Sequence, residues 1–130
     1  MSVYTLPVTP FPGAGFIRVS RASDAGYGVF FRIDASSRLF DGHFDGAPIL
    51  PGVAHIALAL SACAERGIEH GALQGLRDIR FSSPLEPGDE VEVVVVEGGD
   101  GESVRFDIRS RGRSATSGLL IFGSSHDGRG

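Results

Sequence analysis

The sequence predicts an antiparallel α+β domain in which one sheet wraps around a single central helix. Two observations predict it. Residues 52–66 are apolar on nearly every face of a helix, and residues 76–122 break into β-type segments separated by Gly- and Pro-bearing turns. A parallel sheet is excluded, because the chain supplies one helix where such a sheet needs several crossovers.

Each element follows in order. Residues 1–14 form a Pro-rich lead with neither the basic start nor the apolar run of a signal peptide. Residues 15–20 and 28–34 are short apolar runs bounded by turn formers, and they read as paired strands. The helix carries Val53, Ala54, Ile56, Leu58 and Leu60 before Glu65, Arg66 and Gly67 end it, so it must be covered on most sides. Four further strands are expected at 76–82, 90–97, 104–110 and 114–122. In the third of them Val104, Phe106 and Ile108 alternate with Arg105, Asp107 and Arg109, the period of a strand with one wet face. Pro87-Gly88 and residues 98–101 are expected to turn consecutive strands into a meander with hairpin-length loops. Residues 124–130 are a polar, Gly-rich tail expected to be flexible, and the whole of 1–130 reads as a single domain.

Composition narrows the function. Twelve basic against sixteen acidic residues give a net charge of −4, and no Lys/Arg cluster is long enough to follow a phosphate backbone, so nucleic acid is not an expected partner. The longest apolar run is too short to span a bilayer. With one cysteine, Cys63, there is no internal disulfide, and a cytoplasmic home is expected. No cofactor is indicated: His70 and His126 stand apart from other ligand types, and Cys63 reads as a small buried residue of the helix.

Chemistry concentrates in residues 40–53, Phe-Asp-Gly-His-Phe-Asp-Gly-Ala-Pro-Ile-Leu-Pro-Gly-Val. His43 lies in a Gly-flanked turn, and a histidine with its ordinary pKa of about 6.5 is suited to moving a proton at neutral pH. Pro51 and Gly52 open the helix, where free N–H groups can polarise a carbonyl. His55 reads as a hydrogen-bonded core or interface histidine near the helix start.

These residues resemble the short bacterial 3-hydroxyacyl-acyl carrier protein dehydratases of the hotdog fold. Gly42, His43 and Phe44 match that family's first motif; Pro48, Ile49, Pro51, Gly52 and Val53 match its helix-opening segment; Phe81, Pro84, Pro87, Gly88 and Asp89 match its second block. The resemblance implies a homodimer, possibly a higher oligomer, acting on an acyl thioester of acyl carrier protein or coenzyme A. It implies that His43 removes the proton alpha to the thioester carbonyl and that the carbonyl of Ile49 orients its imidazole. It also implies that Gly52 offers its N–H to the thioester oxygen, with Val53, Ala57 and Ser61 as further substrate-binding positions.

One departure bears on the chemistry. The family's helix carries a Glu or Asp fourteen residues after the histidine, to protonate the leaving hydroxyl, and here that position is Ala57; Ser61 replaces the usual Gln. His55 lies about 200° round the helix from position 57, and Glu65 is about 12 Å further along the axis, so neither takes its place. Asp41 and Asp45 flank His43 in the turn. A dehydratase-like enzyme, an acyl-thioester hydrolase and a non-catalytic acyl-binding protein are the readings that remain.

Overall fold

Alternation of apolar and polar residues builds the strands seen in the computed structural model, which describes residues 16–21, 28–34 and 50–123. The elements are β1 (Phe16–Val19), β2 (Gly28–Ile33), α1 (Gly52–Glu65), β3 (Leu73–Phe81), β4 (Glu90–Glu97), β5 (Ser103–Ser110) and β6 (Arg113–Phe122). They form one six-stranded sheet of order β1-β2-β4-β5-β6-β3, antiparallel at every described pairing.

One face of that sheet is the core. Val91, Val93 and Val95 of β4, Val104, Phe106 and Ile108 of β5 and Leu120 and Phe122 of β6 are buried, each one residue out of phase with a wetter neighbour. α1 lies against β4 and β5 and buries Ala54, His55, Ile56, Ala57, Leu58, Ala59, Ala62 and Cys63, as a helix apolar on most faces requires. This is the sheet around a central helix that the residue pattern predicts.

The expected meander holds for β4, β5 and β6 but not for β3. β3 pairs with β6 at one edge of the sheet, and β4 pairs with β2 and β5 on the other side. Residues 82–89 are therefore a crossover and not a hairpin. Two hydrogen bonds with β2 land it, Gly88 N–H to the Ile33 carbonyl and Ile33 N–H to the Asp89 carbonyl, both 2.8 Å. Pro87-Gly88, with Gly88 at φ +87°, is the turn that delivers the chain to β4. Edge placement also brings a bulge: the register shifts between Arg77 and Arg80, and Asp78 takes a φ of 57°. Gly118 faces this bulge, and a Cβ there would stand 2.3 Å from Ile79 Cδ1. The expectations for residues 1–14 and 124–130 lie outside the described residues.

Candidate functional site

The two ends of α1 are finished differently, and the site grows from the unfinished one. At the N-terminus Pro51 is the cap residue, no described side chain caps the helix, and its first turn holds no acidic residue. The first N–H groups of the helix are the donors that a bound acceptor can take. Gly52 and Val53 are both exposed here, Val53 by 59%.

Two stretches that are far apart in the chain meet at this end. The Leu50 N–H donates to the Leu85 carbonyl at 2.7 Å, which joins the helix-opening block to the block running from Phe81 to Asp89. Phe81 lies over the helix start, so close that a Cβ on Gly52 would sit 3.1 Å from Phe81 Cζ. Glycine is thus the residue that lets the ring and the helix backbone approach. Between the blocks is a cavity of about 390 Å³, walled by Leu50, Gly52, His55, Phe81, Pro84 and the adjacent serines Ser82 and Ser83. The N–H groups of both serines are directed to the Ala115 carbonyl, which holds this wall against β6.

His55 is the titratable side chain at this cavity among the described residues. It is 2% exposed, hydrogen-bonded through Nδ1 to the hydroxyl of the fully buried Thr116, and its ring meets Phe81 edge to face at 5.3 Å between centroids. Burial pushes its pKa down to about 4, with the Leu50 carbonyl pulling weakly the other way, so the imidazole is neutral at pH 7. The expectation of a hydrogen-bonded core histidine near the helix start agrees with this geometry. Its partner was not legible, because Thr116 is 61 residues away in sequence.

Of the residues singled out by sequence, His43 and Ile49 lie outside the described residues. Gly52 lines the cavity; Val53 is on the adjoining surface. Ala57 is fully buried, Ser61 is half-buried, and neither lines the cavity. Cys63 is fully buried, and burial pushes its thiol up to about 12, a protonated and inert state. No group of three metal-ligating side chains occurs among the described residues, and no described helix is long and apolar enough to cross a membrane.

Comparison with known proteins places this geometry in context. Residues 20–119 match the family model described as ApeI-like, ApeI dehydratase. The 3-hydroxyacyl-[acyl-carrier-protein] dehydratase FabZ of Actinobacillus succinogenes is 33% identical over 105 residues, 72% of this chain and 68% of the relative. The same enzyme of Mannheimia succiniciproducens is 35% identical over 92 residues, 62% of this chain and 61% of the relative. The aligned part of the chain thus spans only about two thirds of the length of these curated relatives. Among solved structures, the dehydratase heterocomplex ApeI:P from Xenorhabdus doucetiae superposes with a TM-score of 0.68 at 21% identity, covering 82% of this chain and 96% of that one. That likeness shows the fold, which is the hotdog fold.

Proposed function

Because the chain belongs to the ApeI-like dehydratase family, we propose that it takes a 3-hydroxyacyl or enoyl chain in thioester linkage and that His43 is its base. The observation that carries this reading is the N-terminus of α1, which no described side chain caps, opening on a largely apolar cavity at Gly52. Dehydration needs those two things together. The proton alpha to a thioester is weakly acidic, so its removal by His43 requires a donor already aimed at the oxygen on which charge develops, and the Gly52 N–H is that donor. The carbonyl of Ile49 orients the imidazole, and Val53, exposed beside the cavity, meets the acyl chain.

The hydroxyl must leave with a proton. Ala57 has none to give, and a homodimer would carry Ala57 at both acid positions. The proton then comes from the His43 imidazolium, which has just gained one, or from a carboxylate on a different chain. The solved relative named as a heterocomplex supports keeping the second route in view. Pairing with another hotdog chain would use β3, an edge strand whose outer side meets no described strand and which exposes Leu73, Leu76 and Phe81. Sedimentation that shows only monomer, alone and with candidate partner chains, would remove that assembly. A cytoplasmic location belongs to the same proposal.

The test is mass spectrometry of the purified chain incubated with 3-hydroxyacyl, enoyl and saturated acyl thioesters. Water loss or addition is expected, and His43→Ala should abolish it with the thermal midpoint unchanged, since a positioned base contributes about 10²–10⁴ in rate. Release of free acid would make the chain a thioesterase. Binding without any chemical change would make it an acyl-binding member of the family.

A further inference from the structure

The cavity at Gly52 does not end at its serine wall. Ser83 and Pro84 also wall a second cavity of about 190 Å³, whose other sides include the charged residues Glu86, Asp89, Arg111 and Arg113. An apolar chamber and an arginine-lined one thus share a wall.

The hairpin joining β5 to β6 builds the second chamber. Arg111 and Gly112 both take left-handed backbone angles, φ 55° and 78°, which fold the turn tightly and bring Arg111 and Arg113 to one pocket. Arg109 braces the turn through a hydrogen bond to the Gly112 carbonyl at 3.2 Å. Arg111 Nη2 is held by Asp89 at 2.7 Å, and the other Asp89 oxygen accepts the Glu86 N–H at 2.8 Å. That carboxylate is 6% exposed on its side chain and is committed to these partners, whereas the Arg111 side chain is 70% exposed with further N–H groups to donate. Arg113 is exposed and has no ion pair among the described residues. Glu86 is the opposing charge on the rim.

Resting on the acyl-thioester reading above, we infer that this pocket seats the phosphate ester of the arm that carries the acyl chain. Phe81, over Gly52, pairs with Thr116, and Arg113 is three residues back along β6 across a bulge, within about 10 Å. Such an arm, longer than this when extended, can span both chambers. The thioester would sit at the helix start, the amide-bearing arm would cross Ser83 and Pro84, and the guanidinium groups of Arg111 and Arg113 would meet the phosphate. A phosphopantetheine arm has this chemistry whether it comes from a carrier protein or from coenzyme A.

The test compares calorimetric binding of two unreactive probes, the butyl thioethers of pantetheine and of phosphopantetheine. The phosphorylated probe should bind about tenfold more tightly to the parent protein, with the advantage shrinking as salt rises. Arg113→Gln should erase that ratio and leave the pantetheine probe unchanged; Glu86→Gln should enlarge it. Equal binding of the two probes to the parent overturns the phosphate seat and leaves the acyl-thioester reading standing, whereas binding of neither overturns both. A ratio that survives in Arg113→Gln also overturns the assignment. Given the ratio, the same loss for a butylated carrier protein in Arg113→Gln assigns the arm to the carrier. The same loss for the coenzyme A thioether alone assigns it to the coenzyme.

Discussion

The two ends of α1 are opposites. At the C-terminus Arg66 is the cap, the Gly67 N–H donates to the Ala64 carbonyl at 3.1 Å and the Ile68 N–H to the Cys63 carbonyl at 3.0 Å, with Gly67 at φ +70°. This is a complete Schellman closure, and Ile68 packs on the core as the motif requires. Arg66 Nη1 reaches the Val95 carbonyl of β4 at 2.7 Å, and Glu65 pairs with Arg18 of β1 at 3.1 Å. At the N-terminus no described side chain caps the helix; the neutral, buried His55 ties its first turn to Thr116 of β6, and a cavity opens at Gly52. The C-terminus is closed by its own backbone turn, whereas among the described residues no side chain caps the first N–H groups at the N-terminus.

The largest expected effect that would sharpen this contrast is at the open end. In the folded protein His55 has its pKa depressed from 6.5 to about 4, so between these values the unfolded chain binds a proton that the folded chain refuses. Stability is therefore full above pH 6.5 and falls as pH drops toward 4, by about 3 kcal/mol in all. Chemical denaturation across that window should register the fall, and His55→Gln should flatten this component. A parent whose stability is level from pH 6.5 to 4 would show that the histidine is not held neutral.

At the closed end Gly67→Ala should cost about 1 kcal/mol, because the residue must stay left-handed although no neighbour within 4 Å opposes a Cβ. Its thermal midpoint should drop by a few degrees with thioester turnover unchanged. A loss of turnover at constant stability would break the division between a structural end and a chemical one. The smallest effect belongs to the half-exposed ion pair: Glu65→Gln should change stability by less than about 0.5 kcal/mol, and a larger change in denaturant midpoint would mean that β1 depends on it.

Particular residues show where sequence reading succeeds and where it stops. Val104, Phe106 and Ile108 were assigned to the buried face from alternation alone, and all three are buried. β3 was harder. It begins at Leu73, ahead of the expected Leu76, because Leu73 and Gly75 are drawn into the sheet by Phe122 and Ile121 of β6 and not by their own β preference. Asp78 interrupts the alternation in β3, and the reason is a bulge whose counterpart, Gly118, lies on another strand. At the site, Gly52 and the block from Phe81 to Asp89 were each noted as motifs, but nothing local indicated that Phe81 covers Gly52 or that His55 joins Thr116 beside the same cavity.

By itself the sequence determined the wrapped helix, the alternating strands, the family resemblance and the alanine where a carboxylate is usual. All of these are written in spacing along the chain or in residue identity, and a period of 3.6 or 2 needs only near neighbours to be visible. Only the tertiary structure decided that β3 joins β6, that residues 82–89 cross to β2, and that Leu50 and Leu85 bring two distant blocks around one cavity. Those outcomes are set by which strand edges and backbone groups find hydrogen bonds once the apolar faces are buried. That is a competition among long-range partners, and no local period records it.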